Sequence, residues 1–125
     1  MIGYRVVRCW RSKSGKQIYS GLVYPWPGHW KRPRPGVVHE TKLDPDRYEL
    51  CSKGVNFWRA KRSALRHLEG HTGPKGQTLE VWLVYANDRD VCSPIGTTDR
   101  NAWWSDRKAR ASKVMYLEKL AERKA

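Results

Sequence analysis

Residues 4–24 read Tyr4-Arg-Val-Val-Arg-Cys-Trp-Arg-Ser-Lys-Ser-Gly-Lys-Gln-Ile-Tyr-Ser-Gly-Leu-Val-Tyr24 and contain two strand-like runs around a short polar segment. The runs, Tyr4 to Trp10 and Gln17 to Tyr24, are rich in β-branched and aromatic residues, which favour strands. The segment between them, Ser12 to Lys16, contains the Gly that a hairpin loop of this length commonly needs. The sequence therefore predicts a β-hairpin at the amino end.

Several later segments also favour strands. Val37 to Leu43 and Tyr48 to Cys51 are predicted to be short strands, with a turn between them. In Thr78 to Tyr85, Trp82 lies on one side and every second residue lies on the other, which is the period of a half-buried strand. The alternating residues are Leu79, Val81, Leu83 and Tyr85. Most of the predicted regular structure is therefore a sheet.

Two segments are predicted to be helical. Asn56 can cap a helix from Phe57 to Glu69 that Gly70 ends. Ser105 to Ala125 consists of good helix formers, and its apolar residues have helical spacing. Those apolar residues are Val114, Leu117 and Ala121. The expected fold class is α+β: one domain over residues 1–125, with an antiparallel sheet and one or two helices packed on one face.

Positive charge is concentrated near the amino end. The formal net charge is +13, and the first 39 residues contain eight Arg or Lys and no acidic residue. Residues 25–36 have four prolines and two glycines, which predicts an extended loop of fixed shape. Cations alternating with indole rings attract phosphates and offer a surface on which bases stack. The residues of this loop predicted to bind nucleic acid are Trp26, His29, Trp30, Lys31, Arg32 and Arg34.

The predicted helix adds a second group of cations. Arg59, Arg62 and Arg66 gather on the side opposite its apolar face, with Lys61 beside them. Such a basic stripe can lie against a phosphate backbone, or it can be an ordinary solvated face. We predict that these four residues join the loop in binding nucleic acid, provided that the two share a surface.

Other chemistries find little support in the sequence. His67 and His71 stand four apart, but no third zinc ligand is evident, so we predict no metal, no cofactor and no catalytic residue. The cysteines, Cys9, Cys51 and Cys92, form an odd set without short pair spacing, which indicates buried thiols in a reducing compartment. Because there is no long apolar run, we expect a cytoplasmic protein without a membrane partner.

The order of several motifs resembles a poorly characterised small domain common in bacteriophage genomes. These motifs are the Tyr-Arg-Val-Val start, a Gly-Leu-Val-Tyr-Pro segment, Leu50-Cys-Ser-Lys-Gly-Val-Asn-Phe57, and the strand from Leu79 to Val84. That family usually has Cys-x-x-Gly-Phe-His-Phe, so Asn56 stands where it has His. The resemblance implies an α+β fold, a phage or prophage setting in a bacterial host, and a strand at Lys113 to Leu117.

Three functions remain open from the sequence. The first is a non-enzymatic module that binds DNA, RNA or a nucleoprotein, mainly through phosphates. The second is a phage-encoded modulator or inhibitor that docks on a host protein or ribonucleoprotein through the same aromatic and basic residues. The third is a small transferase acting on nucleic acid or nucleotide, with Asn56, Tyr48 and Glu80 in a cleft between strands.

Overall fold

The computed structural model describes residues 1–20, 32–40, 55–70, 76–92 and 108–124. Within these ranges the chain forms eight strands, one α-helix and a single 3-10 turn at Asp88–Asp90. The strands are β1 (Ile2–Arg11), β2 (Gln17–Ser20), β3 (Val38–Glu40), β4 (Val55–Trp58), β5 (Thr78–Tyr85), β6 (Val91–Cys92), β7 (Lys108–Ala111) and β8 (Lys113–Lys124). The helix, α1, spans Lys61–Glu69 and follows β4 almost directly.

The strands form one sheet in the order β3-β8-β5-β1-β4-β7-β6, in which every pairing is antiparallel. β1 is central. It pairs with β5 along Ile2 to Cys9 on one edge. Its other edge is divided, because β2 pairs with Arg8 to Arg11 and β4 meets it at Tyr4. The predicted antiparallel sheet with a helix on one face is therefore present.

Alternation along β1 separates two buried faces. Tyr4 and Val6 belong to the helix face, where Ala64 and Leu68 of α1 are buried against β5. Gly3, Val7 and the other odd-numbered residues belong to the opposite face. That face holds a larger cluster of side chains from β1, β2, β4, β5, β7 and β8. Burial on both faces fixes the register, since a shift of one residue would exchange them.

Several sequence predictions are confirmed. β1 and β2 form the predicted hairpin, and Gly15 in its turn adopts a φ of 84°, a conformation that favours glycine. β5 has the predicted bounds, and β3 lies inside the segment predicted as a short strand. Cys9 is a buried thiol, as expected. The strand predicted at Tyr48 to Cys51 lies outside the described residues.

The predicted start of the helix is wrong. Residues 55–58 form β4, and α1 begins only at Lys61, with Ala60 at the N-cap. Phe57 does not extend the helix, because its ring is buried in the opposite face directly against Gly3. Asn56 is accordingly a strand residue rather than a helix cap. The run Val55-Asn-Phe-Trp58 has the β-branched and aromatic content of a strand.

The predicted C-terminal helix is also wrong, because Lys113–Lys124 forms β8. β8 pairs with β5 through two register shifts, one between Leu83 and Val84 and one between Val81 and Trp82. Each shift places an extra residue in β8, Leu117 in the first and Leu120 in the second. Such bulges interrupt the two-residue alternation of a strand. The resulting spacing of apolar residues resembles that of a helix.

The contact between Gly3 and Phe57 can be tested with Gly3→Ala. A Cβ at this position would overlap the Phe57 ring. We expect a loss of about 1–3 kcal/mol in the free energy of unfolding, as for other overpacked cores. Urea denaturation measures it. The control is Gly70→Ala, where φ is −81° and the nearest atom to the new Cβ lies at 3.4 Å. Equal stability of the two variants would contradict the packing described here.

Candidate nucleic-acid interface

The outer surface of α1 carries the predicted basic stripe. Lys61, Arg62 and Arg66 are exposed, and Arg59 is partly buried just before the helix. Arg62 and Arg66 lie one turn apart on the side away from the buried Ala64 and Leu68. The structure therefore places Arg62 and Arg66 together on the outer surface, with Lys61 exposed at the first helical position, whereas Arg59 precedes the helix and its Nε is buried.

These cations oppose the stability of their own helix. The N-cap, Ala60, makes no side-chain hydrogen bond, and the first turn has no acidic residue. Lys61 and Arg62 instead place positive charge beside the positive end of the helix dipole, which is unfavourable. Arg62 and Arg66 form a like-charge pair at i,i+4, which adds a further cost. An anionic partner would relieve both repulsions.

A second group of cations lies on the sheet beside the carboxyl end of α1. Arg8 of β1 and Arg123 of β8 both pair in register with Leu79, one on each side of β5. Their backbones are therefore about 10 Å apart. The Arg123 guanidinium also donates to the backbone carbonyl of Glu69, the last residue of α1. This bond joins the end of the helix to the sheet.

Trp10, two residues after Arg8 on the same face of β1, completes this group, which we call the strand-end cluster: Arg8, Trp10 and Arg123. Arg8 donates to Gln77 Oε1 at 3.2 Å, and partial burial lowers its pKa. The sequence prediction missed the cluster, because Arg123 is more than a hundred residues away from Arg8 and Trp10 in the chain. Only the β1–β5–β8 register brings them together.

Within the described ranges, the exposed cations of α1 and of the strand-end cluster form no intramolecular ion pair. Those within the described ranges use the N-terminal ammonium, Lys113 and Lys119 as their cations. Across the same ranges, no carboxylate lies within 4.0 Å of Lys61, Arg62 or Arg66. The same holds for the arginines of the strand-end cluster. Within the described residues, these side chains are therefore not engaged in an internal ion pair.

The described part of the predicted loop lies on the other side of the sheet. Arg32 and Arg34 are exposed, but Val37, which follows them, packs against the cluster of the opposite face. Burial raises the pKa of Tyr19 in that cluster, and the nearby charge of Arg32 lowers it in part. The helix and loop cations therefore contribute to different surfaces. Trp26, His29, Trp30 and Lys31 lie outside the described residues.

The opposite face contains a fully buried charge, Arg5, which is 0% exposed. Its Nε donates to the Tyr116 hydroxyl at 3.0 Å, and one terminal nitrogen donates to Asn56 Oδ1 at 2.9 Å and to the Asn56 backbone carbonyl at 2.5 Å. Burial lowers the pKa of Arg5, while the contact with Tyr116 raises it. Asn56 thus holds a buried guanidinium through two accepted hydrogen bonds.

Glu80 and His67, which the sequence also singled out, each contact a tryptophan. Glu80 accepts a hydrogen bond of 2.9 Å from Trp82 Nε1 and pairs with Lys119 at 3.7 Å. The His67 ring lies 6.2 Å from that of Trp58 and is tilted by 47°. No group of three potential metal ligands is found within the described ranges. Tyr48 and His71 lie outside them.

No helix in the described part of the chain is both long and apolar enough to span a membrane.

Comparisons of the chain with protein-family models, curated proteins and solved structures found no match. The resemblance to the bacteriophage domain therefore stays a prediction.

The Arg5–Tyr116 bond can be tested with Tyr116→Phe, which removes the acceptor but keeps the ring that contacts Trp82. We expect a loss of about 1.5–3 kcal/mol in the free energy of unfolding, because the donor is charged and buried. In a double-mutant cycle with Arg5→Met, the two losses should be less than additive. Tyr85→Phe, at an exposed hydroxyl, is the control and should change little. Strict additivity would show that the bond contributes nothing.

Proposed function

We propose that the protein is a small nucleic-acid-binding module that contacts phosphates through α1 and the strand-end cluster, largely without reading sequence. The observation that carries the proposal is the electrostatics of α1, which has an uncapped amino end with two cations in its first turn. Features that break local stability rules are expected where a function requires them. A row of phosphates would supply the negative charge that this helix lacks.

The arrangement suits backbone contact better than base recognition. Phosphate contacts position a protein on nucleic acid but carry no sequence information, and they come mainly from Arg and Lys. Arg62 and Arg66 lie one turn apart on the outer surface of α1, Lys61 is exposed at its first position, and Arg123 links the end of that helix to the sheet. Each phosphate contact releases a condensed counterion, so the affinity should depend steeply on salt.

Arg32 and Arg34 have a different part in this proposal. They lie on the other side of the sheet, so one nucleic-acid segment lying flat on α1 would not reach them. Their charge still adds to the long-range attraction between a basic protein and a polyanion. Short nucleic acids should accordingly depend on the helix surface, and the loop should matter more for long ones.

The first test measures affinity for an oligonucleotide across a range of salt concentrations. With four to six phosphate contacts, the slope of log affinity against log salt should be about −3 to −5. Fluorescence anisotropy of a labelled oligonucleotide gives this slope. A slope near zero, or no binding at low salt, would overturn the proposed function.

The second test uses Arg62→Glu, for which stability and binding should change in opposite directions. An acidic residue in the first turn favours the helix dipole and attracts Arg66 one turn later, so the unfolding free energy should rise by about 0.5–1.5 kcal/mol. Loss of a phosphate contact should weaken binding and reduce the salt slope by about 1. Urea denaturation and anisotropy measure the two effects.

The control for Arg62→Glu is Arg89→Glu, which changes the net charge by the same amount. Arg89 is exposed in the 3-10 turn that follows β5, whereas the strand-end cluster lies by the start of β5. Binding should therefore change little. If both variants weaken binding equally, net charge rather than the helix surface determines affinity, and the proposed interface is wrong.

A further inference from the structure

We infer that the preferred ligand is a single strand, with the indole of Trp10 stacking on a base while Arg8 and Arg123 hold the neighbouring phosphates. This inference rests on the proposed function and deepens it. Trp10 is not among the tryptophans that the sequence assigned to binding. Its position in the fold singles it out.

Trp10 is a large aromatic residue that joins neither hydrophobic cluster of the described residues. The helix-face cluster takes Tyr4 and Val6 from β1 but does not extend to Trp10. The cluster on the opposite face takes Val7 and Cys9. Trp10 is only partly buried, so part of its ring remains available for contact.

Along the edge of β1 that faces β5, Trp10 has no strand partner among the described residues. The pairing of β1 with β5 stops at Cys9 and Thr78, so Trp10 and Arg11 extend past the start of β5. The chain enters β5 through Gly76, where an added Cβ would meet no atom within 4 Å. Among the described residues, no strand therefore covers this edge of Trp10, where an incoming base would lie.

Charge complementarity identifies the partner. Trp10 follows Arg8 by two residues on the helix face of β1. Arg123 lies on the same face across β5. The described part of this hairpin contains five cations and no acid. An indole among uncompensated guanidinium groups fits the alternating flat and anionic groups of a nucleic-acid strand.

The indole favours a single strand over a duplex. In a duplex the faces of the bases are covered by their neighbours, so a protruding ring finds nothing to stack on without unstacking a step. In a single strand each base can leave its neighbour and lie on an aromatic ring. Both ligands would satisfy the phosphate contacts of α1. Stacking on the Trp10 ring is therefore what distinguishes a single strand from a duplex as a ligand.

The test compares three labelled ligands of one length: a dT oligonucleotide, an abasic oligonucleotide with the same phosphates, and a duplex. The natural protein should bind the dT strand about five- to 150-fold more tightly than the abasic strand, as expected for stacking on one base. Trp10→Leu keeps an apolar side chain and should abolish this ratio by weakening binding of the dT strand. Trp10→Tyr should restore part of the ratio.

The control is Tyr85→Leu, which removes an exposed aromatic residue at the other end of β5 and should leave the ratio unchanged. Circular dichroism of each variant verifies folding, and the partial rescue by Trp10→Tyr separates stacking from loss of structure. If Trp10→Leu retains the ratio, or the natural protein shows none, the inference is wrong while phosphate binding stands. If no ligand binds at low salt, the proposed function itself fails, and docking of the cluster on a protein becomes the alternative.

Discussion

Pairing between β1 and β5 is the constraint on which the rest of the structure depends. It runs from Ile2 to Cys9 and determines which side of the sheet each β1 side chain occupies. In this register Arg5 is buried in the opposite face, whereas Arg8 lies on the helix face beside the end of α1. A slip of one residue would exchange these arginines and put Val7 on the helix face. Both the core and the proposed interface therefore depend on a single ladder.

Arg5 and Arg8 show that the same type of residue has different roles in different environments. Arg5 loses its water completely, so its charge is tolerated only because Tyr116 and Asn56 accept its hydrogen bonds. A buried charge of this kind contributes little net stability, but removal of one partner is costly, which ties β1, β4 and β8 to one arrangement. Arg8 keeps contact with solvent. In the proposed interface, its guanidinium would exchange water for phosphate. Only the second environment suits reversible binding.

The sequence predicted those elements whose side-chain period is regular. Burial alternates along β1, and β5 places Leu79 and Val81 on one side and Trp82 on the other, so the hairpin and β5 were predicted correctly. β8 was misassigned because its extra residues at Leu117 and Leu120 convert an alternating pattern into one of helical spacing, and their effect is visible only against the partner strand. Phe57 was misassigned because the space that accepts its ring is created by a glycine 54 residues earlier. The basic stripe of α1 could be predicted from one segment of sequence. The strand-end cluster could not, because predicting it requires knowing the order of β1, β5 and β8 in the sheet.

The unfavourable electrostatics of α1 explain why its anchoring comes from elsewhere in the chain. A nine-residue helix with no N-cap and two cations in its first turn would not be stable alone. Ala64 and Leu68 supply apolar contact with the sheet, and Arg123 satisfies a carbonyl at the carboxyl end, where positive charge is favourable. The helix is thus stabilised from its inner face and its far end, which leaves the amino end and outer face free of any structural need for acid. In the proposed function, a phosphate backbone would approach this surface without competing against a salt bridge among the described residues, and it would relieve the repulsion between the cations.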